Sequence, residues 1–169
     1  METKTILIAD DEFGIRESLE KVLSKAGCKT LVAGSGSEAL AVLNKKKVDL
    51  VLTDLKMPDG GGLELLKEIK KDSPDIEIIL LTGYGSIEIA VEAMREGAYD
   101  FIAKPPKKAI ILNAIEKAIE RFWNDVLAAK FEALQAISFD RRIRHGFFGK
   151  IGQSPRRGMF HFFITTKAK

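Results

Sequence analysis

Apolar residues gather into five short runs, at residues 5–9, 30–33, 48–53, 77–81 and 99–103, rich in branched side chains. Runs of this near-continuous kind predict strands covered on both faces, and so a parallel sheet. Between them the spacing becomes helical. Ile15, Leu19, Val22, Leu23 and Ala26 form one stripe, and Gly27 follows where a left-handed cap is expected. Ala39, Leu40, Val42 and Leu43 mark a second helix, and Leu63, Leu66 and Ile69 a third that ends before Pro74. Ile87, Ala90, Val91 and Met94 mark a fourth, stopped near Gly97. A fifth begins near Pro106, where proline suits a first turn, and would face the sheet with Ile111, Ile115, Ala118, Ile119 and Phe122.

Parallel strands need long crossovers, and helices must cover both faces of the sheet. The alternation therefore predicts an α/β fold with a doubly wound, five-stranded parallel sheet. The last helix continues through Trp123, Leu127, Phe131 and Leu134, with no Gly or Pro before Gly146. An extended C-terminal helix with an apolar stripe needs a partner, either a second copy in a coiled coil or its own domain.

Charge changes the picture at the C-terminal end. The formal net charge is +3, yet residues 1–139 carry 19 basic and 23 acidic side chains, whereas residues 140–169 carry eight basic against one acidic. The basic character belongs to the tail. Hydrophobic residues make up 46% and charged residues 30%. Apolar runs such as 78–81 and 109–112 fall far short of the roughly 20 residues a bilayer helix needs, so no membrane association is expected. Cys28 is the single cysteine, which excludes an intramolecular disulfide and a thiolate metal cluster. With no export signal at the N-terminus, a cytoplasmic protein is expected.

The polar residues that carry chemistry share one position in the pattern. Asp10 and Asp11 follow the first strand, Asp54 the third, Thr82 the fourth and Lys104 the fifth. In open α/β sheets ligands bind in the crevice at these carboxyl ends, so residues distant in sequence would converge there. Clustered carboxylates repel without a cation, and hard oxygen donors suit Mg²⁺. A lysine and a hydroxyl beside them could hold a phosphoryl group. Taken singly, each residue reads as a helix cap, a turn residue or a surface lysine. The combination points to phosphoryl transfer.

Four motifs in order resemble the bacterial response-regulator receivers: Ile8-Ala9-Asp10-Asp11-Glu12, the block from Asp54-Leu55-Lys56-Met57-Pro58 to Gly62, Thr82-Gly83, and Phe101-Ile102-Ala103-Lys104-Pro105. The resemblance covers about residues 4–122. It implies a flavodoxin-like strand order of 2-1-3-4-5 and a signalling switch that accepts a phosphoryl group from a sensor histidine kinase. Asp54 would be the phosphoacceptor. Asp11, Asp54 and the backbone carbonyl of Lys56 would bind Mg²⁺, with Asp10 supporting the metal through water. Lys104 would contact the phosphoryl group, aimed by a cis bond to Pro105. Thr82 and Phe101 would form the switch pair, and Lys56 and Tyr84 would modulate dephosphorylation, with slow self-dephosphorylation expected from their bulk. A homodimer through the face of the fourth helix and fifth strand, the linker helix, or both, is expected. Pro106 departs from many relatives, which place an apolar side chain there.

The resemblance is closest to the receiver and linker of NtrC-type, sigma-54-dependent transcription activators. It divides the chain into a receiver at residues 1–122, a helical linker at 123–139 and a basic tail at 140–169. Ile151-Gly152-Gln153-Ser154-Pro155 resembles the opening of the family's ATPase domain, but the following residues do not continue it, and no phosphate-binding loop appears. The tail is thus expected to be a truncated or non-native remnant, with DNA contacted only through a domain missing here.

Competing readings are a stand-alone receiver acting by protein binding, and nucleic-acid binding by the basic, aromatic tail. A phosphatase of the haloacid-dehalogenase class wants Asp-x-Asp after its first strand, and a flavin module wants a loop that cradles phosphate; Asp10-Asp11-Glu12 suits neither.

Overall fold

A computed structural model of the chain describes residues 3–83 and 87–151. Strand and helix alternate as the hydrophobic pattern predicts: β1 (Thr5–Ala9), α1 (Phe13–Lys25), β2 (Lys29–Ala33), α2 (Gly36–Leu43), β3 (Leu50–Asp54), α3 (Gly61–Asp72), β4 (Glu77–Thr82), α4 (Ile87–Arg95), β5 (Asp100–Ala103) and α5 (Lys108–Ile151). The strands form one sheet in the order β2-β1-β3-β4-β5. Every pairing is parallel. This is the expected doubly wound, flavodoxin-like arrangement.

Alternation along the inner strands builds two cores. Leu7, Val51, Ile78 and Leu80 point to one face, where Leu65, Leu66 and Ile69 of α3 and Ala93 of α4 cover them. Ile6, Ile8, Leu50, Leu52, Ile79 and Leu81 point to the other, under Leu19 and Leu23 of α1 and Ile111, Ile115 and Ala118 of α5. Burying a Leu or Ile in this way contributes roughly 1.5–3 kcal/mol, so the three inner strands anchor the domain.

Several predicted details shift. Residues 48 and 49 precede β3 instead of opening it, because Asp49 turns its carboxylate back to accept the Thr5 N–H at 2.8 Å. The expectation of strands covered on both faces holds for β1, β3 and β4, whereas β2 and β5 are edge strands with exposed positions. Ala26 is exposed at the cap of α1, and Gly27 takes the left-handed conformation there with φ of 83°. On α4 the predicted stripe faces partly outward. Ala93 meets the sheet, and Val91 and Met94 stay 43% and 47% exposed. Helix α5 opens at Lys108, two residues beyond Pro106, and runs past Gly146.

The chain divides into two units, Met1–Asn124 and Asp125–Lys169. The first contains the sheet and both cores. The described part of the second is helical, with Leu127 and Phe131 exposed. The residues of the tail from 152 onward, and Tyr84, lie outside the described residues. Among the described residues no helix is long and apolar enough to cross a membrane.

Leu52, fully buried between sheet and helices, sets a test of this packing. Leu52→Ala is expected to cost about 2–5 kcal/mol in chemical denaturation. Val32→Thr, on the exposed side of the edge strand β2, is expected to change stability by no more than about 0.5 kcal/mol.

Candidate functional site

Parallel pairing brings the ends of β1, β3, β4 and β5 to one rim of the sheet. Asp54 is the last residue of β3 and Thr82 the last of β4, both largely buried at 7% and 6% exposure. Beyond β4, the Lys104 N–H donates to the Thr82 carbonyl at 2.7 Å, so the ends of β4 and β5 are joined through the residues expected to act. The Lys104–Pro105 bond is cis, as the resemblance implies.

The ammonium of Lys104 is the hub. Its Nζ lies 2.7 Å from Asp10 Oδ2, 2.8 Å from Asp54 Oδ2 and 3.2 Å from Glu12 Oε1. Asp10 is fully buried, and its Oδ1 accepts the Glu12 N–H at 2.9 Å. Its Oδ2 has the close ion-pair contact with Lys104 but no hydrogen bond of good geometry. Burial raises the Asp10 carboxyl above its ordinary value, against the lowering effect of Lys104 and the Glu12 N–H. Burial also disfavours charge on Lys104, yet its contacts with Asp10 and Asp54 outweigh that penalty and raise it above the usual lysine range.

A cavity of about 320 Å³ opens above this cluster, lined by Asp11, Glu12, Asp54, Leu55, Lys56, Thr82, Gly83 and Lys104. Of the site residues expected from the sequence, Asp11, Asp54, Lys56, Thr82 and Lys104 line this cavity, Asp10 meets the Lys104 ammonium, and Tyr84 lies outside the described residues. Phe101 does not line this cavity; it stands 45% exposed beside Val91 and Met94, in a groove of about 390 Å³. Carboxylate oxygens of Asp10, Glu12 and Asp54 lie within 4.8 Å of one another, whereas Asp11 is exposed at the cavity wall and is not one of that trio. Glu12 is the member of the trio that the sequence did not single out, although it sits in the quoted acidic motif. Hard carboxylate donors around a buried oxygen without a hydrogen bond fit a small divalent cation such as Mg²⁺.

The loop after β3 is held close beneath the site. The Leu55 N–H donates to the Leu81 carbonyl at 2.8 Å, and the Gly62 N–H to the Leu55 carbonyl at 3.0 Å. A Cβ on Gly62 would lie 2.1 Å from the Asp54 carbonyl oxygen, so the start of α3 can approach only as glycine.

Residues 6–116 match the family described as response regulator receiver domain. The chain is 40% identical over 116 residues to the transcriptional regulatory protein GlrR of Escherichia coli strain K12, covering 69% of this chain and 26% of that protein. It is 38% identical over 117 residues to sporulation initiation phosphotransferase F of Bacillus subtilis strain 168, covering 69% of this chain and 94% of that protein. The solved receiver domain of NtrX from Brucella abortus is 41% identical, with a TM-score of 0.64 over 68% of this chain and 98% of that one. The chain therefore spans about a quarter of the length of GlrR and nearly all of the phosphotransferase.

Gly62→Ala is expected to cost about 1–3 kcal/mol in thermal or chemical unfolding, because the backbone behind Asp54 must shift. Asp10 keeps its proton to higher pH when folded than unfolded, so metal-free stability is expected to fall as pH rises from 3.8 through its raised folded value. Lys104 contributes stability below its ordinary value of 10.5, lost as pH rises through its higher folded value. Lys104→Met is expected to lower stability near neutral pH by about 1–3 kcal/mol and to steepen the decline from acid to neutral, as read by denaturation across pH.

Proposed function

The chain belongs to the response regulator receiver domain family, and from that membership we propose a phosphorylation-dependent switch in which Asp54 accepts a phosphoryl group from a sensor histidine kinase. The observation that carries the reading is the meeting of Asp54, Lys104 and the acidic residues of the first loop at one cavity.

An Asp54 carboxylate oxygen attacks the phosphorus of a phosphohistidine. A P–O bond forms, the P–N bond breaks, and its electron pair stays on the imidazole nitrogen, which takes up a proton. Mg²⁺, when bound, offsets charge on the phosphoryl oxygens during the transfer. Asp10, Asp11, Asp54 and the Lys56 carbonyl are the groups proposed to hold it, with Glu12 added by the convergence of its carboxylate. Lys104, now shared among carboxylates, turns part of its charge to the incoming oxygens. The resulting acyl phosphate is reactive, so the mark is temporary. The exposed Lys56 side chain, with Tyr84, is proposed to slow attack by water and hence self-dephosphorylation.

Thr82 reads the phosphoryl group through its hydroxyl, and Phe101 answers. Between them lies a void of only about 10 Å³, walled by Leu55, Leu80, Ile89, Ala90 and Ala93. A Thr82 hydroxyl drawn toward the phosphoryl group would widen this space for the Phe101 ring, which is how the two residues are proposed to be coupled. Inward rotation of Phe101 would remodel the face formed by Val91 and Met94; that face, the exposed Leu127 and Phe131 of α5, or both, are proposed to mediate dimerisation. The output is proposed to be transcription control through domains outside this chain, as in the regulators it resembles. The energetic demand is modest: a shift of a few kcal/mol between two states is enough.

Incubation with Mg²⁺ and a small acyl phosphate, followed by intact-mass measurement, is expected to show one added phosphoryl group. The gain should depend on Mg²⁺ and be absent in Asp54→Ala; a folded wild type that gains nothing would remove the proposal. Thr82→Ala is expected to accept the phosphoryl group while the NMR signals of the Phe101 ring keep their unphosphorylated positions.

A further inference from the structure

Asp59 lies in the loop between β3 and α3, and its carboxylate is committed to another element. The Gly36 N–H donates to Oδ1 at 2.9 Å and the Ser37 N–H donates to Oδ2 at 2.8 Å. These are the first amides of α2. The helix already closes its remaining donors locally. Ser35 Oγ accepts the Glu38 N–H at 3.2 Å, and Glu38 Oε2 accepts the Gly34 N–H at 2.7 Å. Water could satisfy the exposed Ser37 amide. What the remote carboxylate adds is attachment of its own loop. Donation from Ser37 and Gly36 holds the Asp59 carboxyl well below the usual range, so the attachment is charged at neutral pH.

The β2–α2 junction that receives Asp59 also braces the acidic loop. The Asp10 N–H donates to the Ala33 carbonyl at 3.1 Å. Arg16, whose Nη1 donates to the Asp10 carbonyl, also lies against Gly34. One short turn thus touches both loops that carry the cation's expected ligands: the Asp10–Glu12 loop directly, and the loop bearing Lys56 through Asp59.

Resting on the receiver reading given above, we propose that Asp59 is a positioning residue for Mg²⁺. By clamping the segment after Asp54 onto the start of α2, its carboxylate holds the Lys56 carbonyl in register with the carboxylates of the acidic loop. It touches neither metal nor phosphoryl group. Its removal weakens cation binding and leaves chemistry at saturating cation intact.

The test uses the full chain as wild type, Asp59→Ala, Asp59→Asn and Val48→Ala, the last altering a buried residue ahead of β3 and away from the site. Mg²⁺ binding is measured by calorimetry, amide exchange of residues 55–60 is followed in metal-free protein, and phosphorylation is followed against Mg²⁺ concentration. Asp59→Ala is expected to weaken Mg²⁺ binding by about three- to tenfold and to speed exchange across the loop. The phosphorylation rate at saturating Mg²⁺ should stay within about twofold of wild type. Asp59→Asn, which keeps one acceptor oxygen, should fall between them and provides the readout should the alanine variant fail to fold. Val48→Ala should lose stability with unchanged Mg²⁺ affinity. The inference is overturned if the Asp59 variants lose stability as Val48→Ala does while Mg²⁺ binding and loop exchange match wild type. Absence of Mg²⁺ binding by wild type itself would instead overturn the receiver reading, and this inference with it.

Discussion

Three carboxylates held within 4.8 Å of one another, one of them fully buried, set the terms for the rest of the molecule. Like charges at that range repel strongly once water is excluded, and a fold tolerates them only with a countercharge in place. Lys104 supplies it, reaching Asp10, Glu12 and Asp54 from the end of β5. The strand order makes this meeting possible. Placing β1 beside β3, and β4 between β3 and β5, brings acidic groups from one side of the rim within reach of an ammonium from the other. Before any cation or phosphoryl group arrives, the lysine is shared among anions. Electrostatic frustration of this kind costs stability, and the two apolar cores on the faces of the sheet offset it.

Much of this was legible in the chain. Five apolar runs separated by helical stripes left few alternatives to a doubly wound sheet, because parallel strands require crossovers and crossovers have one hand. Once the strands were placed, the positions of Asp10, Asp54, Thr82 and Lys104 at their ends followed without side-chain geometry. The cores were readable for the same reason. Ile6, Leu7, Ile8 and Leu50, Val51, Leu52 are apolar at every position, which only a strand buried on both sides requires.

What escaped the sequence is the part that depends on three-dimensional choice. On α4, Val91 and Met94 fit a helical stripe as well as Ala93 does, and the periodicity cannot say which side meets the sheet. The tight approach favours the small residue, and the larger ones are left outward beside Phe101. Glu12 was hidden by its neighbours: an exposed glutamate after two aspartates looks like a turn residue until its carboxylate is seen reaching Lys104. Asp59 gave no local signal, because its partners Gly36 and Ser37 are more than twenty residues away. Hydrogen bonds of that separation have no periodicity to betray them.

The alternation of Leu50, Val51 and Leu52 between two opposite cores carries a consequence for how such a chain can change in length. A residue gained or lost inside β3 would exchange the two faces of everything beyond it, sending core side chains to the wrong layer and turning Asp54 away from its rim. Loops between elements have no such parity and can lengthen without exchanging faces. The place of the Asp54 carboxylate is therefore counted out by the core, odd residue against even. Insertions and deletions are tolerable only in the connections, where growth of the molecule leaves the count undisturbed.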